Sequence, residues 1–193
     1  MAAVLRKKEN PFVIVYVGRF EQLKVEGNHL PLLTLIQAAS TWKKKDMNFS
    51  LFYLGDGSLK REMQDLIDEL DLGDRVFLLG PKTDVASYLR FADLGVGGIA
   101  FNAVSQEITM AGKPQLLVDC ADNRNTPWID GKNAVFIKPD DVADLVEKVE
   151  WAVQNLEKLA RMAARAAKDM EPYMVTMETG GRLYLDKFVA LLG

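Results

Sequence analysis

The chain contains 193 residues, of which 49% are hydrophobic and 26% are charged, and its formal net charge is −3. These values fit one soluble globular domain with a full core, or one such domain followed by a helical extension. Because charges of both signs are interspersed, the composition gives no electrostatic basis for binding nucleic acid or an anionic membrane.

The single cysteine, Cys120, excludes an intrachain disulfide bond and suits a reducing compartment. Its place just after an apolar run favours a small packed side chain over a reactive thiol. The first residues lack the apolar segment of a secretory signal, and no run reaches the ~18 apolar residues of a spanning helix. We therefore expect a cytoplasmic protein, either free or held at the membrane periphery through a partner.

Short apolar runs alternate along the chain with stretches of helical spacing. The runs that predict strands lie at residues 12–17, 49–54, 75–79, 94–97, 115–118 and 134–137. The predicted helices lie at residues 30–42, 59–70, 84–91, 102–111, 142–155, 156–170 and about 175–191. Nearly unbroken apolar strands that alternate with helices are typical of a parallel sheet covered on both faces, so we predict an α/β, Rossmann-like fold.

This pattern divides the chain into three segments. Residues 1–11 are a lead-in, residues 12–155 form a single Rossmann-like domain, and residues 156–193 form a C-terminal helical extension.

A glycine and two cations follow the first predicted strand, at Gly18, Arg19 and Lys24. Gly18 lets the backbone turn closely against a ligand. The guanidinium of Arg19 and the ammonium of Lys24 supply a forked donor and a point charge, which suit a diphosphate. The same residues are compatible with a surface loop that carries two ordinary cations.

Two further turns end strands that we expect at the same edge of the sheet. The first, Gly55-Asp56-Gly57-Ser58, favours a structural turn, with Asp56 as turn former and Ser58 as helix N-cap, over a set of ligand-binding amides. The second, Leu79-Gly80-Pro81, could hold a flat base against main-chain groups or could be a simple turn. Neither turn is a dinucleotide fingerprint or a Walker loop.

The helix predicted at residues 102–111 carries one carboxylate, Glu107, in its middle turns. A helix that begins at the ligand edge of a sheet directs its N–H groups and positive dipole end at the crevice, so Asn102 marks a candidate diphosphate site. Glu107 could then reach the hydroxyl groups of a sugar or ribose. The alternative is a helix-surface glutamate, the commonest environment of this residue.

The only histidine, His29, is expected at the start of the first predicted helix. It could transfer a proton near the crevice, although a surface position is the more common fate of such a histidine. No His/Cys cluster has metal-ligand spacing, and a Ser/His/Asp set could use no other histidine. The residues therefore predict no metal site and leave the catalytic group unassigned.

Taken together and in order, these motifs resemble the C-terminal, donor-binding domain of GT-B glycosyltransferases, especially glycosyltransferase family 4 (the glycosyl transferases group 1). The resemblance covers about residues 12–150. The segments that carry it are Val17-Gly18-Arg19 with Lys24, Gly55-Asp56-Gly57, 70–76, 77–80, Ala92-Asp93, 107–114 and 130–133.

The resemblance implies that Arg19 and Lys24 hold the diphosphate of a nucleoside diphosphate sugar, with Gly18 at the turn and the helix start adding its dipole. It also implies that Glu107 binds the ribose hydroxyls and that the base lies against Leu79, Gly80 and Pro81. No metal or other cofactor is required, because the cations and the helix amides stabilise the leaving diphosphate.

One residue departs from the family pattern. Ile99 stands where the family commonly has a second glutamate, and an isoleucine cannot contact the hydroxyls of the donor sugar. Some relatives present a Gly-rich turn and backbone amides instead, as Gly97-Gly98 and Asn102 could here.

A GT-B enzyme also has an N-terminal Rossmann-like domain, which holds the acceptor site and the usual catalytic base. The resemblance covers only the C-terminal half, so we expect the partner domain either in the same chain or as a separate subunit. The sequence thus predicts half of a cleft, which binds nucleotide weakly and transfers no sugar by itself.

The predicted function is the donor-binding half of a retaining-type glycosyltransferase of polysaccharide or glycoconjugate biosynthesis, which moves a sugar from a nucleoside diphosphate sugar to a hydroxyl acceptor. The alternative is a non-catalytic nucleotide- or protein-binding module that keeps the half-fold, and an enzyme of the sugar-nucleotide epimerase type is a third possibility. The residues leave the base, the sugar, the acceptor and the anomeric outcome open.

The C-terminal extension is richer in apolar side chains than one solvated helix requires. We expect such a surface to make the chain associate, for example as a homodimer. The residues concerned are Met162, Met170, Tyr173, Met174, Met177, Leu183, Tyr184, Phe188, Leu191 and Leu192.

Overall fold

The computed structural model describes residues 11–21, 24–25, 28–29, 31–97 and 102–173. Six strands form one parallel sheet in the order β5-β4-β1-β6-β7-β8. These strands are β1 (Phe12–Val17), β4 (Phe49–Leu54), β5 (Val76–Gly80), β6 (Leu94–Val96), β7 (Gln115–Val118) and β8 (Val135–Ile137). A short antiparallel hairpin, β2 (Lys24–Val25) and β3 (Asn28–His29), lies between β1 and β4 in the chain.

Helices connect the strands of the sheet. They are α1 (Leu32–Lys44), α2 (Lys60–Glu69), α3 (Val85–Phe91), α4 (Ala103–Met110), α5 (Ala121–Arg124), α6 (Val142–Gln154) and α7 (Leu156–Met170). From β1 at the centre of the sheet, the chain runs outward through β4 and β5 to one edge. It then returns to β6, beside β1, and runs through β7 and β8 to the other edge. This is the doubly wound order of a Rossmann-like fold, so the predicted fold class is confirmed.

The sheet is covered on both faces because alternate residues of β1 point to opposite sides. Ile14 and Tyr16 belong to a buried cluster that includes Trp42 of α1 and residues of α6. Val13 and Val15 belong to a second buried cluster, which includes residues of α3 and α4. Both faces of the central strands are therefore apolar, which explains why their sequences lack polar alternation.

Helix α7 coincides with its predicted range and packs on the chain's own core. Its residues Ala166 and Met170 join Leu117 and Trp128 in a third buried cluster, and Met162 lies in the main cluster. Met162 and Met170 are therefore not part of an open apolar surface, contrary to the prediction, because α7 folds back over the sheet. The residues of the predicted association surface from Met174 onward lie outside the described residues.

Two local predictions are wrong. Ser58 is not the N-cap of α2, because the helix begins at Lys60 with Leu59 in the cap position, and the Ser58 hydroxyl bonds to Glu21 instead. His29 does not start a helix, because its backbone pairs with Lys24 in the β2–β3 hairpin, and α1 begins only at Leu32.

Cys120 is buried, as predicted for a packed residue. Within the described residues, no helix combines the length and the apolar character needed to cross a membrane.

Candidate functional site

Four strands of the sheet deliver glycine-containing turns to one edge. Because β1, β4, β5 and β6 are parallel, their carboxyl ends lie at the same edge, and glycine stands there at Gly18, Gly55, Gly80 and Gly97. The winding direction of the chain reverses between β1 and β6. In open α/β sheets this reversal point opens the crevice in which ligands bind, so this carboxyl edge is the candidate site.

The turns after β1, β4 and β5 are bonded to one another through the backbone. The N–H of Gly18 donates to the carbonyl of Leu54 at 3.0 Å, and the N–H of Gly55 donates to the carbonyl of Gly80 at 3.1 Å. A Cβ on Gly55 would lie only 1.8 Å from the carbonyl oxygen of Gly18. The structure thus links the predicted diphosphate turn at Gly18 to the predicted base turn at Gly80 through the Gly55 turn between them.

Arg19 is exposed at this edge, whereas the backbone around it is fixed. The next residue, Phe20, is fully buried, and its N–H donates to the carbonyl of Asp56 at 2.9 Å. The carbonyl of Phe20 accepts in turn from the N–H of Leu59 at 2.9 Å. Because the backbone is fixed at the buried Phe20, the position from which the Arg19 side chain extends is defined. The guanidinium itself stays accessible to a ligand.

Two tyrosines support the Arg19 turn from inside the core. The rings of Tyr16 and Tyr53 lie 5.5 Å apart, and Phe20 meets Tyr53 edge-on at 6.1 Å. The Tyr53 hydroxyl donates to the carbonyl of Leu32 at 2.7 Å, and that of Tyr16 approaches the carbonyl of Arg19 at 3.4 Å. Burial raises the pKa of both phenols, so both side chains are neutral supports and not proton donors to a ligand.

Helix α4 starts at the same edge, because β6 lies beside β1 with Val96 paired to Tyr16. Asn102 is its N-cap and forms a capping box with Ser105. The Asn102 Oδ1 accepts from the Ser105 N–H at 3.0 Å, and the Ser105 Oγ accepts from the Asn102 N–H at 3.1 Å. The side chain of Asn102 therefore caps the helix, and the dipole of α4 provides the positive end at the crevice.

Glu107 lies on the exposed side of α4, and its neighbour Ile108 is fully buried. Ile108 packs against Gly95, where an added Cβ would lie 2.7 Å from the Ile108 Cγ2. This close packing fixes the helix on the sheet and leaves the Glu107 carboxylate in solvent. Exposure is compatible with ribose binding and with an ordinary surface glutamate.

The remaining predicted residues divide into two groups. Leu79 and Gly80 are half-buried and Pro81 is exposed at the end of β5, so a turn surface is accessible there. The backbone of Lys24 lies in β2, but its side chain lies outside the described residues, as does all of Ile99.

Two features of this edge were missed by sequence reasoning. The carboxylate of Glu21, two residues after Arg19, accepts both donors of Ser58, and these bonds, together with the charge of Arg19, lower its pKa. Beneath α4, the buried Gln115 donates its Nε2 to the Thr109 Oγ1 at 3.1 Å. A serine in a Gly-rich turn and a glutamine at a strand start were the only sequence signals.

Among the concave surfaces of the described residues, one of about 490 Å³ borders this edge at Gly57 and Ser58. A cavity of about 620 Å³ lies at the opposite, amino edge of the sheet, where Phe12, Asn48 and Asp93 line it. In the described part of the chain, no group of three or more His, Cys, Asp or Glu residues could hold a metal ion. The chemistry that the carboxyl edge offers is a cation, backbone amides and a helix start for an anion, with a carboxylate further along the same helix.

Comparisons with known proteins agree with this fold. EpsD of Bacillus subtilis, which carries a provisional glycosyltransferase name, is 23% identical over 163 residues, or 83% of this chain and 41% of EpsD. Among solved structures, Anabaena HepE in complex with UDP matches with a TM-score of 0.75 and 19% identity, over 92% of this chain and 49% of HepE.

A third similar protein is the C-terminal domain of LpcC, a group 1 glycosyl transferase family protein of Francisella tularensis. It matches with a TM-score of 0.70 and 14% identity, over 90% of this chain and 93% of the solved domain. The chain thus spans less than half the length of EpsD and HepE. The family model described as glycosyl transferases group 1 matches residues 1–169, and the chain therefore belongs to this glycosyltransferase family.

Proposed function

We propose that this chain is the donor-binding, C-terminal domain of a retaining-type GT-B glycosyltransferase of family 4. The reaction of the whole enzyme transfers a sugar from a nucleoside diphosphate sugar to a hydroxyl acceptor. The observation that carries the proposal is the backbone bonding of three strand-end turns: the Gly18–Arg19 turn at the switch point is linked to the Gly80 turn through the Gly55 turn that lies between them. The resemblance to HepE in complex with UDP supports the same class of ligand.

The proposed roles follow from the chemistry of each residue. Arg19 and Lys24 neutralise the diphosphate as it leaves, and the start of α4 at Asn102 adds its dipole, so no metal is required. Glu107 binds the ribose hydroxyls, and the base lies against Leu79-Gly80-Pro81. The acceptor site and the catalytic base belong to an N-terminal domain, and the match to the separately solved LpcC domain supports a C-terminal unit that folds by itself.

A titration of nucleoside diphosphates tests this proposal. We expect UDP, GDP or ADP to bind the 193-residue chain, and the double variant Arg19→Ala plus Lys24→Ala to weaken that binding roughly 10- to 100-fold, because each charge-assisted contact contributes about 1.5–3 kcal/mol and partial solvation reduces the sum. Isothermal titration calorimetry measures the dissociation constants.

A charge-matched control is the double variant Arg161→Ala plus Lys168→Ala, which removes two exposed cations from α7 and should leave binding unchanged. The donor-site proposal fails if none of the three nucleotides binds, or if the Arg19 and Lys24 variant binds as tightly as the wild type. If no nucleotide binds, a protein-binding module is the better interpretation of this domain. Sugar transfer by the chain alone would contradict the assignment of the catalytic base to another domain.

A further inference from the structure

The carboxylate of Glu21 is held at two points by a single residue of the neighbouring turn. The Ser58 N–H donates to the Glu21 Oε1 at 3.1 Å, and the Ser58 hydroxyl donates to the Glu21 Oε2 at 2.6 Å. Both oxygens are thereby engaged in one direction, towards the start of α2. Since Ser58 does not cap α2, this pair of bonds is its principal interaction in the structure.

The backbone on both sides of this contact has little freedom to move. The carbonyl of Phe20 accepts from the Leu59 N–H at 2.9 Å, and a Cβ on Gly57 would lie 2.4 Å from the Phe20 oxygen. The turn that carries Arg19 and Glu21 therefore rests directly on the turn that carries Ser58. A side-chain contact between the two turns is correspondingly well defined.

Without the Ser58 hydroxyl only the backbone N–H bond would remain, and the loosened Glu21 carboxylate would interfere with an anion site at Arg19 in two ways. Glu21 is half-buried and lies two residues from the exposed Arg19, so its carboxylate could pair with the guanidinium. It would also bring a negative charge close to a bound diphosphate, which the N–H and hydroxyl of Ser58 now partly neutralise. The bonds from Ser58 are the main cause that lowers the pKa of the Glu21 carboxyl, and the charge of Arg19 lowers it further.

We propose that Ser58 is a positioning residue of the donor site, which holds the Glu21 carboxylate against the start of α2 and so keeps the Arg19 guanidinium available for the diphosphate. This inference rests on the proposed function of the Arg19 turn. In this role Ser58 does not contact the ligand. It keeps the negative charge of Glu21 away from the Arg19 guanidinium and from the bound diphosphate.

The test compares a nucleoside diphosphate with its nucleoside, for example UDP with uridine if UDP is the ligand of the wild type. We expect Ser58→Ala to weaken diphosphate binding roughly 3- to 10-fold, which is the scale of an exposed charged interaction, and to leave nucleoside binding unchanged. A general loss of structure would weaken the binding of both ligands equally. Ser58→Thr, which keeps the hydroxyl, should bind as the wild type does.

The double variant Ser58→Ala plus Glu21→Gln separates the charge of Glu21 from the loss of the hydroxyl. If the freed carboxylate is the cause, removing its charge restores diphosphate affinity to within about twofold of the wild type. The matched control is Ser87→Ala, because Ser87 donates to the carboxylate of Asp84 at the start of α3 in the same manner. This variant should bind both ligands normally.

The outcomes distinguish the inference from the proposed function. If no nucleoside diphosphate binds the wild type, both are overturned. If the diphosphate binds and Arg19→Ala weakens it, but Ser58→Ala does not, only the role of Ser58 is overturned. Equal weakening of UDP and uridine, or no recovery in the double variant, also overturns it.

Discussion

Gly57 is a position at which one added carbon would meet the backbone of another turn. A Cβ there would lie 2.4 Å from the Phe20 carbonyl oxygen, and the 2.9 Å hydrogen bond from Leu59 to that oxygen leaves it no room to retreat. We expect Gly57→Ala to lower the free energy of unfolding by about 1–3 kcal/mol, as overpacking does in other well-packed sites. Urea denaturation followed by circular dichroism measures the change.

Gly73 offers the matched control, because a Cβ there would meet nothing within 4 Å. Gly73→Ala should therefore be neutral, or stabilise the chain by up to about 1 kcal/mol through the lower entropy of the unfolded state. Equal destabilisation by the two substitutions would show that the contact between Gly57 and Phe20 is not what restricts this position.

Single residues of the site were predictable where the signal is local. Gly18 and Arg19 follow an apolar strand directly, so their place at the carboxyl edge follows from the strand assignment alone. The bond between Glu21 and Ser58 joins residues that are 37 positions apart. A pattern of neighbouring residues contains no information about such a pair, which is why Ser58 was assigned to the nearer helix start and Glu21 received no role.

Helix α4 is tied to β7 by a buried polar contact that is incompletely satisfied. The Gln115 Nε2 donates to the Thr109 Oγ1 at 3.1 Å, but its Oε1 finds no hydrogen-bond partner within the described structure. Thr109 remains bonded without Gln115, because its hydroxyl donates to the carbonyl of Ser105 at 2.9 Å. Because this oxygen is unpaired, the buried amide of Gln115 stabilises the fold less than a fully hydrogen-bonded amide would.

We predict that Gln115→Met leaves the free energy of unfolding unchanged or raises it by up to about 1 kcal/mol, because it fills a similar volume and removes the unpaired oxygen. Gln115→Glu has the same shape but buries a charge, and should cost more than about 3 kcal/mol. Chemical denaturation of the two variants at neutral pH measures both changes. If Gln115→Met instead lowers the free energy of unfolding, the hydrogen bond to Thr109 contributes more than the unpaired oxygen costs.

Element types were predictable where the pattern is long and uniform, and less so at element ends. The strands β1, β4 and β7 match their predicted ranges, since their apolar runs are unbroken and are bounded by turn residues. The β2–β3 hairpin was missed, because two strands of two residues each carry no periodicity that distinguishes them from a loop. The helix starts shifted to Leu32 and Lys60, because neither has a side-chain cap, and at the second a backbone bond from Leu59 to Phe20 of the neighbouring turn fixes the start.

The doubly wound architecture follows from strand and helix alternation, but the contacts that close the crevice edge arise only when the whole sheet is assembled. Gly18, Gly55 and Gly80 belong to three separate strand–turn units, and the sheet order β5-β4-β1 brings their turns into register. The sequence could therefore predict which turns reach the edge. It could not predict that they would bond to one another and fix the backbone on both sides of Arg19.

The buried tyrosines beneath that edge, Tyr16 and Tyr53, make the stability of the whole molecule fall at alkaline pH. Burial raises the pKa of Tyr16, and burial together with the charge of Tyr16 raises that of Tyr53. In the unfolded chain both phenols ionise near pH ~10, whereas the folded chain retains their protons. The unfolded state then binds fewer protons than the folded state, so the stabilisation is complete below pH ~10 and is lost as the pH rises above it.

We predict that Tyr16→Phe makes the alkaline loss of stability less steep by up to about 1.4 kcal/mol per pH unit, because one ionising group is removed. At pH ~7 the substitution should cost less than about 1 kcal/mol, since the hydrogen bond it removes, to the Arg19 carbonyl, is long at 3.4 Å. Urea unfolding of both proteins between about pH 8 and pH 11 gives the two slopes. Parallel loss of stability in the two proteins would mean that the Tyr16 phenol ionises as readily in the folded chain as in the unfolded one, and the neutral aromatic support under the Arg19 turn would have to be abandoned.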